Sequence, residues 1–332
     1  MNSEIELFST CPVAAGAGGR AYMQEIVEVA HWSETAGFTG MLVYSDNSLL
    51  NPWALCQIIL ENTGSICPLP AIQPVYMHPY SVAKAVTTLA YLYGRRVCLN
   101  MIAGGFTNDL AALNDTTPHD KRYARLVEYT AILQTLLAGE TTSYNGEFYK
   151  VDKLQLRPPL PRELSPGIFI SGSSDAGLAA ARALGATAIK YPQPSREETG
   201  VPGDGIPYGV RLGIIAREKE SDAWRVARAR FPEDRKGQLT QQLAMKVSDS
   251  VWHRQLSTVE EESGASPYWL VPFRNYKTFC PYLVGSYDRI AEEVTRYMDA
   301  GYRTFIFDIP PTQEELSHIG AVFERSRKRA AL

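Results

Sequence analysis

The chain has 332 residues, of which 45% are hydrophobic, 10% aromatic and 21% charged. This length fits one large domain or two ordinary ones, and the composition excludes a disordered chain, a coiled coil and a collagen-like rod. Lys and Arg number 33 against 36 Asp and Glu, which gives a net charge of -3. Because basic residues never run longer than three, we expect no nucleic-acid partner.

Strand-like and helix-like segments alternate along the chain, and this alternation is the strongest pattern in the sequence. Short buried runs predict eight strands, at 5–10, 41–44, 67–74, 97–103, 167–171, 187–191, 209–216 and 304–309. Helical periodicity predicts helices at 22–36, 52–61, 79–93, 119–137, 174–184 and 221–230, and a last one from Gln313. An Asn-Gly turn flanked by aromatic residues predicts a hairpin over 142–150.

Eight strands, nearly all followed by helices, favour a (β/α)8 TIM barrel over a doubly wound sheet. The dinucleotide fingerprint Gly-x-Gly-x-x-Gly is also missing after the first strand, where residues 15–20 have the wrong spacing. We expect 1–332 to form a single domain with a hairpin insertion and a longer insertion at about 232–285 before the last strand. That longer insertion is either a lid over the site or a plain surface excursion, and its length favours a lid.

Patterns of other protein classes are weak. The longest apolar stretches are far shorter than the roughly 20 residues that cross a bilayer, and the first residues do not resemble a signal peptide. We therefore expect a cytoplasmic protein without a membrane partner. The five cysteines include no Cys-x-x-Cys pair and the five histidines lack ligand spacing, so neither disulfides nor a metal site is expected.

A phosphate-binding pattern follows the fifth strand, at the end of the barrel where active sites lie. Residues 171–175 read Ser-Gly-Ser-Ser-Asp and open a helix, so free backbone N–H groups and hydroxyls would meet an anion there. The alternative is that Ser174 or Asp175 only caps the helix.

The helix at 119–137 begins with a second candidate group. His119, Arg122 and Tyr123 lie within one turn, so ring donors and a guanidinium could face one ligand. The alternative is a solvated first turn in which Arg122 pairs with Glu128 on the surface.

Two more residues at strand ends are candidates for chemistry. His78 follows the third strand and is either an acid–base group or a cap of the next helix. Arg211 lies on the seventh strand, where its permanent charge would stabilise an anion. The alternative for Arg211 is an interior salt bridge with Asp308.

These motifs, in this order, resemble the bacterial-luciferase-like flavin monooxygenases, and most closely the alkanesulfonate monooxygenase branch. The resemblance is carried by residues 40–44, 100–105, 119–123, 169–177, 210–217 and 284–287, of which 169–177, Phe-Ile-Ser-Gly-Ser-Ser-Asp-Ala-Gly, is the most specific. It implies a barrel that binds reduced FMN from a separate flavin reductase. It further implies that O₂ reacts with this flavin to form a flavin peroxide, which oxygenates a small organic substrate, and that the protein is a homodimer or homotetramer.

The resemblance also implies roles for individual residues. The flavin-binding positions are Gly172, Ser173, Ser174 and Tyr123 at the phosphate and Asn100, Ala103, His119 and Tyr191 along the rest of the flavin. Arg211 and Asn100 are the expected catalytic residues, with His78 as the candidate acid–base group. Arg274, Lys277 and Asn47 are expected to contact the substrate or belong to the lid.

Several family positions are replaced in this chain. Leu49, Ala103 and Gly213 stand where the alkanesulfonate branch has cysteine, threonine and histidine, and its lid arginine aligns near Pro272. A simple alkanesulfonate is therefore not the expected substrate. Two alternatives stay open: a non-catalytic flavin-binding protein on the same barrel, and an F420-dependent dehydrogenase of the same superfamily. The hydroxyl-rich phosphate loop favours FMN over F420.

Overall fold

The computed structural model describes residues 4–14, 18–172, 174–247, 256 and 266–330. Within these ranges the strands are β1 Glu6–Thr10, β2 Gly40–Val43, β3 Cys67–Ile72, β4 Leu99–Met101, β5 Thr142–Asn145, β6 Lys150–Leu154, β7 Ile168–Ser171, β8 Thr187–Lys190, β9 Tyr208–Arg217, β10 Tyr268–Trp269, β11 Tyr282–Ser286 and β12 Tyr302–Phe307. The strands β1–β4, β7–β9 and β12 pair in parallel and close on themselves. The predicted eight-stranded barrel is confirmed.

Helices surround this barrel, and seven of those in the described residues lie at the positions that the sequence predicts. The described helices are α1 Gly19–Thr35, α2 Pro52–Asn62, α3 Pro79–Tyr93, α4 Thr107–Ala112, α5 His119–Leu137, α6 Asp175–Leu184, α7 Glu220–Arg230, α8 Arg235–Val247, α9 Val271–Arg274, α10 Tyr287–Asp299 and α11 Gln313–Ala330. Local signals set their ends. The Asn51 side chain accepts from the N–H of Trp53 to begin α2, and Gly94 ends α3 in the left-handed conformation.

Apolar side chains fill the interior of the barrel below the carboxyl ends of its strands. An apolar plug contains Phe8, Leu42, Leu69, Phe169, Ile189 and Ile306. The rings of Phe8 and Phe169 meet edge to face with centroids 5.6 Å apart. Leu42, Ile189 and Ile306 also line the floor of a cavity above the plug, so the open space of the barrel is confined to the carboxyl ends of the strands.

The hairpin forms, but not with the tight Asn-Gly turn that the sequence predicts. Asn145 pairs with Lys150, which leaves a loop of residues 146–149. The Glu128 carboxylate accepts hydrogen bonds from the N–H groups of Glu147, Phe148 and Tyr149 at 2.8, 2.9 and 3.1 Å. This tertiary contact opens the turn and fastens the hairpin to α5.

The predicted lid, 232–285, includes a part that belongs to the sheet. Strand β11 pairs in parallel with the outer half of β9, from Gly213 to Arg217, and its residues Leu283 and Val284 are buried. The segment that the sequence predicts as an insertion therefore ends in a strand of the sheet. Residues 248–255 and 257–265 of the segment lie outside the described residues.

Helix α10 is an element that the sequence analysis does not predict. Its apolar residues Ile290, Val294, Tyr297 and Met298 recur at helical spacing and are buried against the barrel and α11. The strand before it ends at Ser286, whose hydroxyl caps the helix. No helix in the described part of the chain is long and apolar enough to cross a membrane.

Candidate functional site

A cavity of about 450 Å³ opens at the carboxyl ends of the barrel strands. Its wall receives residues from most of the barrel strands and from the segment at 277–279. The lining residues that the sequence analysis names are Asn100, Ala103, His119, Tyr123, Gly172, Ser174, Tyr191, Arg211 and Lys277. The structure thus brings together most of the predicted site residues, which come from distant parts of the chain.

The loop between β7 and α6 forms a close-packed cradle at one side of the cavity. A Cβ atom on Gly172 would lie 2.2 Å from the hydroxyl of Tyr123, so only glycine allows this ring to approach the loop. Ser174 caps α6 by accepting from the N–H of Gly177 at 3.1 Å, and it also lines the cavity. The capping alternative for Ser174 is therefore confirmed, and the same side chain is placed where it could also meet a ligand. Ser173 lies outside the described residues.

Tyr123 and His119 extend this cradle from the start of α5. Their rings meet edge to face with centroids 5.2 Å apart, and the His119 Nδ1 lies 2.7 Å from the Asp120 carboxylate. Burial raises the pKa of Tyr123 and outweighs a hydrogen bond with Ser174, so its hydroxyl stays protonated and able to donate.

Arg122 does not share the cavity with these two rings. Its side chain is buried and donates to the carbonyl of Thr117 at 3.0 Å, so the expectation that it faces the ligand is wrong. The alternative of a surface pair with Glu128 is also wrong, because the Glu128 carboxylate holds the hairpin loop instead. The Arg122 side chain is held by a local carbonyl, whereas the Glu128 carboxylate is held by a loop about 20 residues further along the chain.

Arg211 carries the buried positive charge of the cavity. The residue is 9% exposed, and its guanidinium lies over the Tyr44 ring at 4.9 Å from the ring centroid. One nitrogen lies 4.0 Å from the Asp308 carboxylate and another 3.5 Å from the Tyr191 hydroxyl. Among the described residues, Nε and Nη2 of Arg211 have no hydrogen-bond partner. The alternative of an interior salt bridge with Asp308 therefore uses only part of the donor capacity of Arg211.

Tyr282 is a second partner of the Asp308 carboxylate. Its hydroxyl donates to the Asp308 carboxylate at 2.7 Å. Its ring fills the space beside Gly213, where a Cβ atom would lie 2.3 Å from the ring. The replacement of the family histidine by Gly213 is therefore matched by an aromatic ring from the neighbouring strand β11.

Asn100 and Tyr191 present fixed polar groups to the same space. The Ser171 hydroxyl donates to the side-chain Oδ1 of Asn100 at 2.8 Å. The side-chain NH₂ group of Asn100 is therefore left to donate to a ligand. Burial raises the pKa of Tyr191, so this phenol is neutral. Ala103 contributes only a methyl group to the wall.

The sequence analysis assigns no role to two carboxylates at the mouth. Asp46 follows β2 and Asp109 lies in the first turn of α4, and both line the cavity. Burial and the neighbouring Asp46 charge raise the pKa of Asp109. Asn47 lies behind them, donating to the Asp109 carbonyl at 2.9 Å and accepting from the Tyr76 hydroxyl at 2.8 Å, but it does not line the cavity. The position of Asp46 at a strand end was the available signal.

His78 lies away from the cavity, and the structure favours the capping alternative. Its Nδ1 accepts from the N–H of Tyr80 at 3.2 Å and so begins α3. Its ring is exposed and meets Tyr149 edge to face. An acid–base role has no support from this geometry.

The segment after α9 closes one side of the mouth. Lys277 lines the cavity and pairs with Asp234 at 2.8 Å, whereas Arg274 is not among the lining residues. The Phe279 ring approaches that of Phe106 with centroids 6.2 Å apart, which joins this segment to the loop after β4. Nothing in the sequence marked Phe279.

Residues 4–304 match the family model of the luciferase-like monooxygenases. The chain belongs to this family. It is 33% identical over 317 residues to the 4-(gamma-L-glutamylamino)butanoyl-[BtrI acyl-carrier protein] monooxygenase BtrO of Niallia circulans, and the match covers 92% of each protein. The predictions of a luciferase-like barrel and of a monooxygenase enzyme are confirmed.

Solved structures share the fold of this luciferase-like chain. The long-chain alkane monooxygenase LadA superposes with a TM-score of 0.77 at 15% identity, over 99% of this chain and 92% of LadA. An F420-dependent secondary alcohol dehydrogenase superposes with a TM-score of 0.67 at 14% identity, over 98% of this chain and 99% of the dehydrogenase. The fold is therefore shared by a monooxygenase and by an F420-dependent dehydrogenase, so the fold alone does not identify the cofactor.

Proposed function

We propose that this protein is a reduced-FMN-dependent monooxygenase that oxygenates an acyl group carried as a thioester. The observation that carries the proposal is the arrangement of one cavity, with a phosphate cradle at its side and a buried, incompletely bonded arginine in its wall. A separate flavin reductase that supplies the cofactor, a homodimeric or homotetrameric assembly and a cytoplasmic location belong to the same proposal.

The residues of the cradle fit the phosphate of FMN. Gly172 lets the backbone approach closely, the N-terminus of α6 attracts negative charge, and Ser174, Tyr123 and His119 supply side-chain donors. The ring system of the flavin would then extend past Asn100 and Ala103 towards Tyr191. Bound there, reduced FMN supplies the electrons that activate O₂.

The chain's own residues would hold charge and exclude water. The Asn100 amide is fixed by Ser171 and offers its NH₂ group, while Arg211 offers Nε and Nη2 to negative charge that develops during the reaction. These donors are already oriented, so little reorganisation is needed. Lys277 and Phe279 narrow the opening above them, which limits the water that reaches the reacting atoms.

The substrate class is proposed from the curated relative. BtrO acts on an acyl group attached to a carrier protein, and both proteins are matched over nearly their full length. In this chain the thioester carbonyl is a suitable partner for the Arg211 guanidinium, because negative charge on that oxygen would activate the adjacent carbon. The polar mouth of the cavity admits the tether of such a substrate.

Heavy-oxygen labelling tests the proposal. The protein is mixed with reduced FMN, labelled O₂ and the 4-(gamma-L-glutamylamino)butanoyl thioester of pantetheine, and the product is examined by mass spectrometry. We expect one labelled oxygen atom in the acyl group. A product that gains no label, or the same yield without flavin, would overturn the proposed reaction.

A further inference from the structure

Helix α8 exposes an apolar and basic stripe. Leu239 and Leu243 are 62% and 63% exposed and lie one turn apart, and Arg235 continues the stripe one turn earlier. Lys236 is also exposed beside it. Residues 235–247 contain three basic residues and no acidic one. The two leucines and the two basic side chains thus form one exposed strip on α8.

The other side of α8 is fixed to the cavity wall. A Cβ atom on Gly237 would lie 2.1 Å from the carbonyl oxygen of Asn275, so the helix packs closely on the segment after α9. Gln238 donates to the Asn275 side chain at 3.2 Å, and Asp234 pairs with Lys277, which lines the cavity. A partner bound to α8 is therefore held beside the opening.

We propose that the exposed stripe Arg235–Leu239–Leu243, with Lys236, is the docking site of the acyl-carrier protein that presents the substrate. This inference depends on the proposed function. Carrier proteins are acidic helical bundles, so a basic helix without acidic residues complements their charge. The two leucines supply apolar area to the core of this contact, and the basic side chains lie beside them. A carrier seated there has its flexible arm next to the cavity, which is the geometry that delivery of a tethered acyl group requires.

The test compares one acyl group on two supports. The 4-(gamma-L-glutamylamino)butanoyl group is supplied on the BtrI acyl-carrier protein or on free pantetheine, and kcat/KM is measured with reduced FMN for the wild type, Leu239→Glu and Leu243→Glu. We expect each substitution to lower kcat/KM about tenfold for the carrier-bound substrate and to leave the pantetheine substrate unchanged. Leu92→Glu is the control, because Leu92 is 63% exposed near the end of α3, far along the chain from α8.

Binding of labelled BtrI, followed by fluorescence anisotropy, gives a readout without turnover. We expect wild-type binding to weaken as salt is raised, and the two glutamate variants to bind more weakly than Leu92→Glu. Equal effects of the α8 substitutions on both supports would overturn the docking site. The docking site would also be overturned if these variants lost self-association, detected by sedimentation, or vesicle binding, while their kcat/KM for the carrier-bound substrate stayed unchanged. If neither support is oxygenated although reduced FMN binds, the proposed substrate class fails, and with it the docking site.

Discussion

Replacement of Gly172 by alanine tests the phosphate cradle. The new Cβ atom would lie 2.2 Å from the Tyr123 hydroxyl and 3.1 Å from the ring carbon that bears it, so the ring must move. Overpacking of this kind lowers the free energy of unfolding by about 1–3 kcal/mol. Loss of the hydrogen bond between Tyr123 and a phosphate removes about 1.5–3 kcal/mol of binding free energy, which weakens FMN binding roughly 10- to 150-fold.

Anaerobic fluorescence titrations with reduced FMN and reduced riboflavin separate the two effects. We expect Gly172→Ala to weaken FMN binding and to change riboflavin binding little, because riboflavin has no phosphate. Gly320→Ala is the control, since a Cβ atom at Gly320 meets nothing within 4 Å and Gly320 does not line the cavity. In a Tyr123→Phe background, Gly172→Ala should destabilise the protein much less, because the clashing oxygen is gone. Equal losses of affinity for both ligands, or an equal loss with Gly320→Ala, would refute the cradle.

Three further outcomes are expected. Burial acts to raise the pKa of Asp115, but hydrogen bonds from Arg125 and Thr117 outweigh it and lower the pKa to about 2. The pKa of Asp115 in the unfolded chain is 3.8, so the stabilisation is present above that pH and is lost as the pH falls towards 2. Denaturant titration should therefore show that Asp115→Asn reduces the free energy of unfolding at neutral pH by about 2 kcal/mol. A loss that persists unchanged at acid pH would contradict this. Arg211→Lys should lower kcat about 100-fold while the Kd for reduced FMN is unchanged, and an unchanged kcat would remove Arg211 from catalysis. His78→Asn should keep the cap and leave kcat/KM within about twofold, whereas His78→Ala should cost about 1 kcal/mol of stability; a large loss of kcat in His78→Asn would restore the acid–base hypothesis.

The barrel was predictable because its signals are local. Each barrel strand is a short buried run, as in β3, where all six residues are buried. Helices α2, α3 and α6 begin with a capping side chain, and α3 and α6 end at a left-handed glycine. Helix α10 was missed because its apolar residues are separated by charged ones, and because no turn signal divides it from β11. The hairpin loop was mispredicted because Glu128, on another element, decides its shape.

The site was predictable where strand ends and the phosphate loop determine it. Gly172, Ser174 and Asn100 follow from those rules and from the family resemblance. The orientations of Arg122 and His78 could not be predicted from those rules. Arg122 is oriented by the Thr117 carbonyl, to which it donates, and His78 by the N–H of Tyr80, from which it accepts. Tyr282 could not be predicted at all, because its approach to Gly213 depends on the register between β9 and β11.

The central claim is that the cavity binds reduced FMN for a reaction with O₂. It is tested most directly by anaerobic titration of the purified protein with reduced FMN and with reduced F420, followed by flavin or deazaflavin fluorescence. The account predicts micromolar or tighter binding of reduced FMN and much weaker binding of F420. Tight binding of F420 with no measurable binding of reduced FMN would contradict it.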